Sequence, residues 1–239
     1  FQQVRFLWSG AIALAATAGF INSAALGIFH TPVSHMSGAV SRLGLDAAGG
    51  AWHDARTSFA IMVGFLLGAG LNGLVVGAWK LVPGRRYGVA LMIEGGLLGV
   101  ATWLRLHEYR LALAVVATAC GLQNAMSSSY CGLMIRTTHV TGIVTDIGVM
   151  LGHWLRHRQI EGWKLRFLFA VFTAFGVGGW IGALADLKFG SACLAIPAVG
   201  CLLAGGLFTL LYHRGVIDLM QDAVPAPPRT SSFPAGGSN

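Results

Sequence analysis

Charge is what this sequence has least of. Asp, Glu, Lys and Arg make up 10% of its 239 residues, against about a quarter in a soluble domain, which excludes an ordinary water-soluble fold. Short segments of alternating polarity are missing too, so a closed barrel is not expected. There is no Walker loop, GxSxG or HExxH motif, so the ATPase and hydrolase mechanisms that rest on them have no residues here, and no enzyme is expected. Only four cysteines occur, Cys120, Cys131, Cys193 and Cys201. All lie in apolar stretches without a CxxC or a His pair at metal spacing, so they are expected to be buried, reduced thiols, with neither a metal site nor a cofactor. The net charge of +7 is carried mostly by short connections. Outside these no basic run interleaves with aromatics, and nucleic acid is not an expected partner.

What the sequence does have is apolar length. Hydrophobic residues form 55% of the chain and the mean hydropathy is +0.67. Six stretches, at 6–29, 58–79, 87–104, 111–135, 167–185 and 189–212, approach or reach the roughly 20 residues a helix needs to cross a hydrocarbon core. Trp8, Trp52, Trp79, Trp103, Trp154 and Trp163 fall near their ends, where an indole ring prefers the headgroup level. The first stretch exceeds a signal-peptide core and no clear cleavage site follows it, so it reads as a retained span. Residues 215–239 end in a Pro-, Ser- and Gly-containing segment with no helical period, the composition of a flexible tail.

The chain also repeats itself. His35-Met-Ser-Gly-Ala-Val-Ser-Arg-Leu-Gly44 recurs as His139-Val-Thr-Gly-Ile-Val-Thr-Asp-Ile-Gly148. Gly19-Phe-Ile-Asn22 answers Gly121-Leu-Gln-Asn124, and Gly68-Ala-Gly70 answers Gly176-Val-Gly178, so the offset drifts from 102 to 108. Two tandem units follow, 1–107 and 108–214, each a long helix, a short polar helix opened by a His motif, and two more long helices. The expected fold is all-α and polytopic, with six long spans and two short broken or re-entrant helices at 36–52 and 140–154. If the short helices cross, the units are four plus four and parallel; if they re-enter, three plus three and inverted. Lys and Arg in the connections, with Arg42 and Arg229 set aside, divide 9 against 5 for eight spans and 10 against 4 for six, N-terminus inside in both. The positive-inside rule leans to six and leaves both open.

Ser34, Ser37, Gly38 and Ser41 are matched by Thr138, Thr141, Gly142 and Thr145, a stripe of hydroxyls on one helical face around a bare backbone. Hydroxyls beside a helix N-terminus suit an anion or polar solute; capping and close helix packing are the plainer roles. His35 and His139 open the motifs, and an imidazole titrating near its reference pKa of about 6.5 is able to couple binding to protonation. Arg42 and Asp146 stand at equivalent positions with opposite signs, which suggests an ion pair across a pseudo-twofold axis. Glu94 is a mid-span carboxylate without an alignable counterpart and a candidate proton site. Asn22, Gln123 and Asn124 either line the same cavity or join helices by hydrogen bonds. Gly64, Gly68, Gly178 and Gly182 are assigned to packing.

The two His motifs, with Gly121-Leu-Gln-Asn-Ala125 and Arg136-Thr-Thr-His-Val-Thr-Gly142 followed by Thr145-Asp146, resemble the YoaK family of bacterial membrane proteins, a domain of unknown function. The resemblance runs over about 6–212. It implies an inner-membrane protein of about six spans, loosely grouped with half-size relatives of major-facilitator transporters. In the first motif the family carries Asn or a similar polar residue where this chain has Ala39, a departure that touches specificity if that group meets solute. The expected function is a secondary transporter or channel for a small polar or anionic solute, with His35, Ser37, Ser41, His139, Thr141, Thr145, Asn22 and Asn124 binding it and Arg42, Asp146 and Glu94 pairing or coupling. The alternative is a non-transporting membrane subunit that assembles a larger complex. Membrane lipids and a homo-oligomer or larger complex are the expected partners.

Overall fold

The computed structural model describes residues 2–76, 85–130, 139–158 and 161–214. Cys131, Thr138, Trp79 and the tail 215–239 lie outside them. Among the described residues the chain forms eight α-helices and a 3₁₀ turn: α1 Gln2–Phe29, α2 Met36–Ala48, α3 Trp52–Val75, α4 Arg85–Leu106, α5 Leu111–Tyr130, α6 Val140–His157, α7 Gly162–Phe189, the turn Gly190–Leu194, and α8 Ala195–His213. Four stretches are long and apolar enough to cross a membrane, Trp8–Phe29, Trp52–Val75, Arg86–Leu106 and Gly162–His213, the last holding both α7 and α8; Leu111–Met126 is a shorter apolar helix. Their outward faces are greasy. Leu66, Leu74, Trp180, Leu187 and Leu203 are all exposed, a belt far larger than a water-facing surface carries. This is the architecture of a helical membrane protein.

Glycine sets how the helices pair. Where lipid rather than water surrounds the bundle, helices associate through close backbone contact, which small residues permit. A Cβ on Gly19 would strike the Phe175 carbonyl, and one on Gly178 the Ala16 carbonyl, so α1 and α7 touch backbone to backbone. Trp8 against Phe167 at 5.0 Å between ring centroids and Gly27 against the Asp186 carboxylate show that the two run in the same direction. The α3/α5 crossing is built alike: Gly121 meets Phe65 and Gly68 meets Thr118, again parallel. In α4 and α8 Gly95 faces Ala198 and Leu202, and Gly205 faces Gly88 and Met92, an antiparallel pair. The contacts of the three crossings fall at offsets of 102 between α1 and α5 and of 110 between α3 and α7 and between α4 and α8, close to the spacing that the repeat in the sequence would require.

The contacts also separate the glycines of each Gly-x-Gly pair. Gly68 and Gly178 are the glycines in contact, while Gly70 and Gly176 both face open space. Residues i and i+2 of a helix point to nearly opposite faces, so a Gly-x-Gly pair puts one glycine in the contact and one outside, and letters alone do not say which. Helix limits also move. The first short helix stops at Ala48 rather than running to Trp52, because Gly49 and Gly50 follow and Gly50 has φ +74°, a left-handed conformation that suits glycine. Trp52 instead opens α3, six residues before the apolar run at 58.

Call the end of the bundle where α1 begins the near side and the other the far side. Ile28 and Phe29, His53 and Arg56, Arg105 and Leu111 line one cleft, so α1 and α4 end where α3 and α5 begin, and the pair directions place α7 with α1 and α8 against α4. α2 therefore joins two helix ends at the far side, and α6 lies between the end of α5 and the start of α7 at the near side.

Candidate functional site

Beyond Phe29 the chain turns back into the bundle. His30 takes a positive φ, Val33 is fully buried with Ile21, Ala24 and Ala25, and the Ser34 hydroxyl donates to Asn22 Oδ1 at 2.7 Å in a buried bond. Asn22 is seven residues before the end of α1, about 10 Å inside at 1.5 Å per residue. At that depth α2 begins, with His35 as its N-cap and no side-chain capping bond. Ala39 is buried and packed with Ile61 and Ala117, so this position of the motif faces core. The helix then climbs out to Gly49 and Gly50. Its positive dipole end points inward. Ser34→Ala leaves the Asn22 oxygen buried without a partner and is expected to cost about 1–3 kcal/mol in denaturant unfolding. The double variant Asn22→Leu, Ser34→Ala should cost less than the sum of the two single changes; strict additivity would mean that the bond is not made.

The second motif is described from His139 onward, residues 131–138 lying outside the described ones. His139 is the N-cap of α6, again without a capping bond, and its imidazole lies over Gly142 where a Cβ would stand. Ile143 and Ile147 pack on Ala11, Ala15, Phe167, Leu168 and Val171, and the helix leaves through Arg158, φ +55°, to the start of α7. Ala15 is seven residues inside Trp8, again about 10 Å deep.

The motif residues of the expected site are divided between two short helices that pack on different long helices, α2 on α3 and α6 on α7, while Asn22, Glu94 and Asn124 lie on α1, α4 and α5. Ser37, Ser41, Thr141 and Thr145 are all exposed, and Thr145 Oγ1 donates to its own helix at Thr141 O, 2.8 Å. Arg42 does not pair with Asp146: its Nε lies 3.7 Å from Asp46 Oδ2, one turn along, and the two motifs sit at opposite sides of the bundle. The short reach of an i, i+4 partner on the same helix decides this. Asn124 is partly buried on α5, and beside it Gln123 Nε2 donates to Leu14 O at 3.2 Å, tying α5 to α1.

Glu94 is wholly buried on α4, and neither carboxylate oxygen has a hydrogen-bond partner among the described residues. Its helix α4 packs on both α5 and α8. Under a repeat with an offset of 110, the position that would correspond to Glu94 is Ala204. Near it lies a cleft of about 240 Å³ between α1 and α8, lined by Leu14, Thr17, Leu91, Cys201, Ala204 and Phe208 among others. A family model matches residues 10–207, from α1 into α8 and across both His motifs. The chain belongs to the DUF1275 family. Its description is a protein of unknown function, and it is the same family as the YoaK resemblance. No curated protein and no solved structure matches. In this DUF1275 chain, one cluster escaped the sequence: Arg56, Arg105 and Arg110 line a single far-side cleft of about 580 Å³ with His53. They come from α3, α4 and the connection to α5, and only the fold gathers them.

Proposed function

We propose that this protein is a secondary transporter or channel for a small polar or anionic solute in the bacterial cytoplasmic membrane, built from two inverted units, 1–107 and 108–214, of three spans and one re-entrant half-helix each. The observation that carries this reading is the buried Ser34–Asn22 bond, which draws the start of α2 back inside the bundle. At 13 residues, about 20 Å, α2 is too short to cross the roughly 30 Å core. Opposed half-helix N-termini near the midplane are how many transporters hold anionic or polar groups. Six spans put the near side in the cytoplasm by the 10 to 4 distribution of Lys and Arg.

Asymmetry between the units supports transport. Under the repeat, α4 with α5 is equivalent to α8 with α1. The first pair packs along its length, whereas α1 and α8 barely touch, and the cleft of about 240 Å³ fills the gap in the near half. One of two equivalent interfaces is closed and the other open, the arrangement of an alternating-access protein at one end of its cycle. Glu94, buried behind the cleft, is the group to carry a coupled proton.

The test is thermal unfolding of detergent-purified protein against small anions, weak acids and metabolites, at two pH values on either side of about 6.5. Stabilisation follows RT ln(1 + [L]/Kd). A pH-dependent shift for one solute class, lost in the His35→Ala, His139→Ala variant, is the expected outcome. A panel without any response in a folded sample removes the transporter reading. The assembly-subunit reading then gains, and it has an observation of its own: Ser37, Ser41, Gly44 and Ala48 on α2, and Thr141, Thr145, Gly148 and Gly152 on α6, are small, exposed and spaced as a helix-packing seam.

A further inference from the structure

We infer that the far-side cleft between the ends of α1, α3, α4 and α5 is an anion-binding site for a phosphate-bearing ligand, separate from the His motifs. Five cations lie toward this side, Arg42, Arg56, Arg105, Arg110 and Lys188; three of them, with His53, Glu108 and Tyr109, converge on one cavity of about 580 Å³. None of the three arginines has a carboxylate partner among the described residues, although Glu108 lines the same space. Arg105 is held in place by its contact with the Phe29 ring, 5.7 Å from the centroid, and its Nε is buried with no acceptor. Arg110 reaches across to His53 Nε2, which ties the α5 start to the α3 start. Both of those helices begin at the cleft, so their positive dipole ends add to the field.

Like charges gathered this way repel one another unless an anion joins them. Guanidinium forks match phosphate oxygens in pairs, so a phosphate group suits the cleft better than a halide. The chemistry fits a phospholipid headgroup, since the cleft opens where the helices end at the membrane boundary, and equally a free phosphate or phosphoester arriving from the aqueous side. Glu108 and the adjacent Asp54, 3.4 Å from His53 Nδ1, limit the excess positive charge and favour a ligand with one phosphate over a polyanion.

The full chain is reconstituted in nanodiscs of zwitterionic lipid and titrated with inorganic phosphate, and in parallel purified from mixed lipid to measure retained phosphatidylglycerol by native mass spectrometry. An Arg56→Gln, Arg105→Gln, Arg110→Gln variant is expected to lose at least tenfold in whichever response the parent shows; Lys188→Gln, on the same side outside the cleft, changes it less than twofold. Arg105→Lys keeps the charge but not the fork, and is expected to lose part of the response and less than Arg105→Gln, a graded loss that a folding defect would not give. Phosphate binding identifies a soluble ligand, and phosphatidylglycerol retention a lipid. Absence of both, or equal losses in the cleft and Lys188 variants, overturns the site. The His35→Ala, His139→Ala variant keeps this response, so failure here is distinguishable from failure of the transporter reading.

Discussion

Gly68→Leu and Gly178→Leu are each expected to prevent recovery of monodisperse protein, while Gly70→Leu and Gly176→Leu leave it intact. At positions 68 and 178 the missing Cβ is replaced by a backbone carbonyl of the neighbouring helix, Thr118 and Ala16 respectively. A side chain there separates two helix axes along their whole contact, and overpacking of this kind costs about 1–3 kcal/mol even in cores that relax around it. Here neither backbone is free to yield, so about 3 kcal/mol is the lower expectation. Two positions away no atom lies within 4 Å of the added group. Leucine then replaces a poor helix former by a good one, with a gain of up to about 1 kcal/mol. Size-exclusion profiles and thermal unfolding of the four variants decide the matter; equal behaviour within each Gly-x-Gly pair would refute the crossing geometry.

Those two pairs show where the sequence was legible and where it stopped. Composition and the length of the apolar runs announced a helical membrane fold, because a charge shortage has few other physical explanations. The His motifs were readable as helix starts, since a polar residue ahead of a small-residue helix is a local signal. Register was not readable: Gly68-Ala-Gly70 and Gly176-Val-Gly178 align letter by letter, yet contact is made by Gly68 and Gly178. Facing direction depends on the partner helix, which no local window contains. The same limit hid the arginine cleft, whose members are spread from 56 to 110. It also produced the mistaken Arg42–Asp146 pair, because a repeat tells which residues are equivalent and not whether equivalent residues meet. In this chain they lie at opposite sides, and Arg42 takes the nearer Asp46.

Glu94→Met is expected to raise the stability of the protein and to abolish its pH-dependent ligand response. Both carboxylate oxygens are buried without a partner, and an unsatisfied buried polar group costs about 1–3 kcal/mol; methionine of similar length removes that cost without opening a cavity. A residue kept against stability is normally kept for function. The repeat suggests which one. The position that would correspond to Glu94 is Ala204, which lines the open cleft between α1 and α8. If the units of the proposed transporter exchange conformations, α1 closes on α8 while α4 parts from α5, and Glu94 comes to line a cleft as Ala204 does now. A carboxyl group that is dry in one state and wet in the other exchanges its proton only in the second, which is the minimal device for proton coupling. Glu94→Gln separates the two effects: it retains an unsatisfied polar group, so stability stays near that of the parent, but it has no titrating proton, so the pH dependence is lost. A fall in the unfolding temperature of Glu94→Met would show that the carboxyl group holds the helices together, and the coupling role would pass from Glu94 to the imidazoles of His35 and His139.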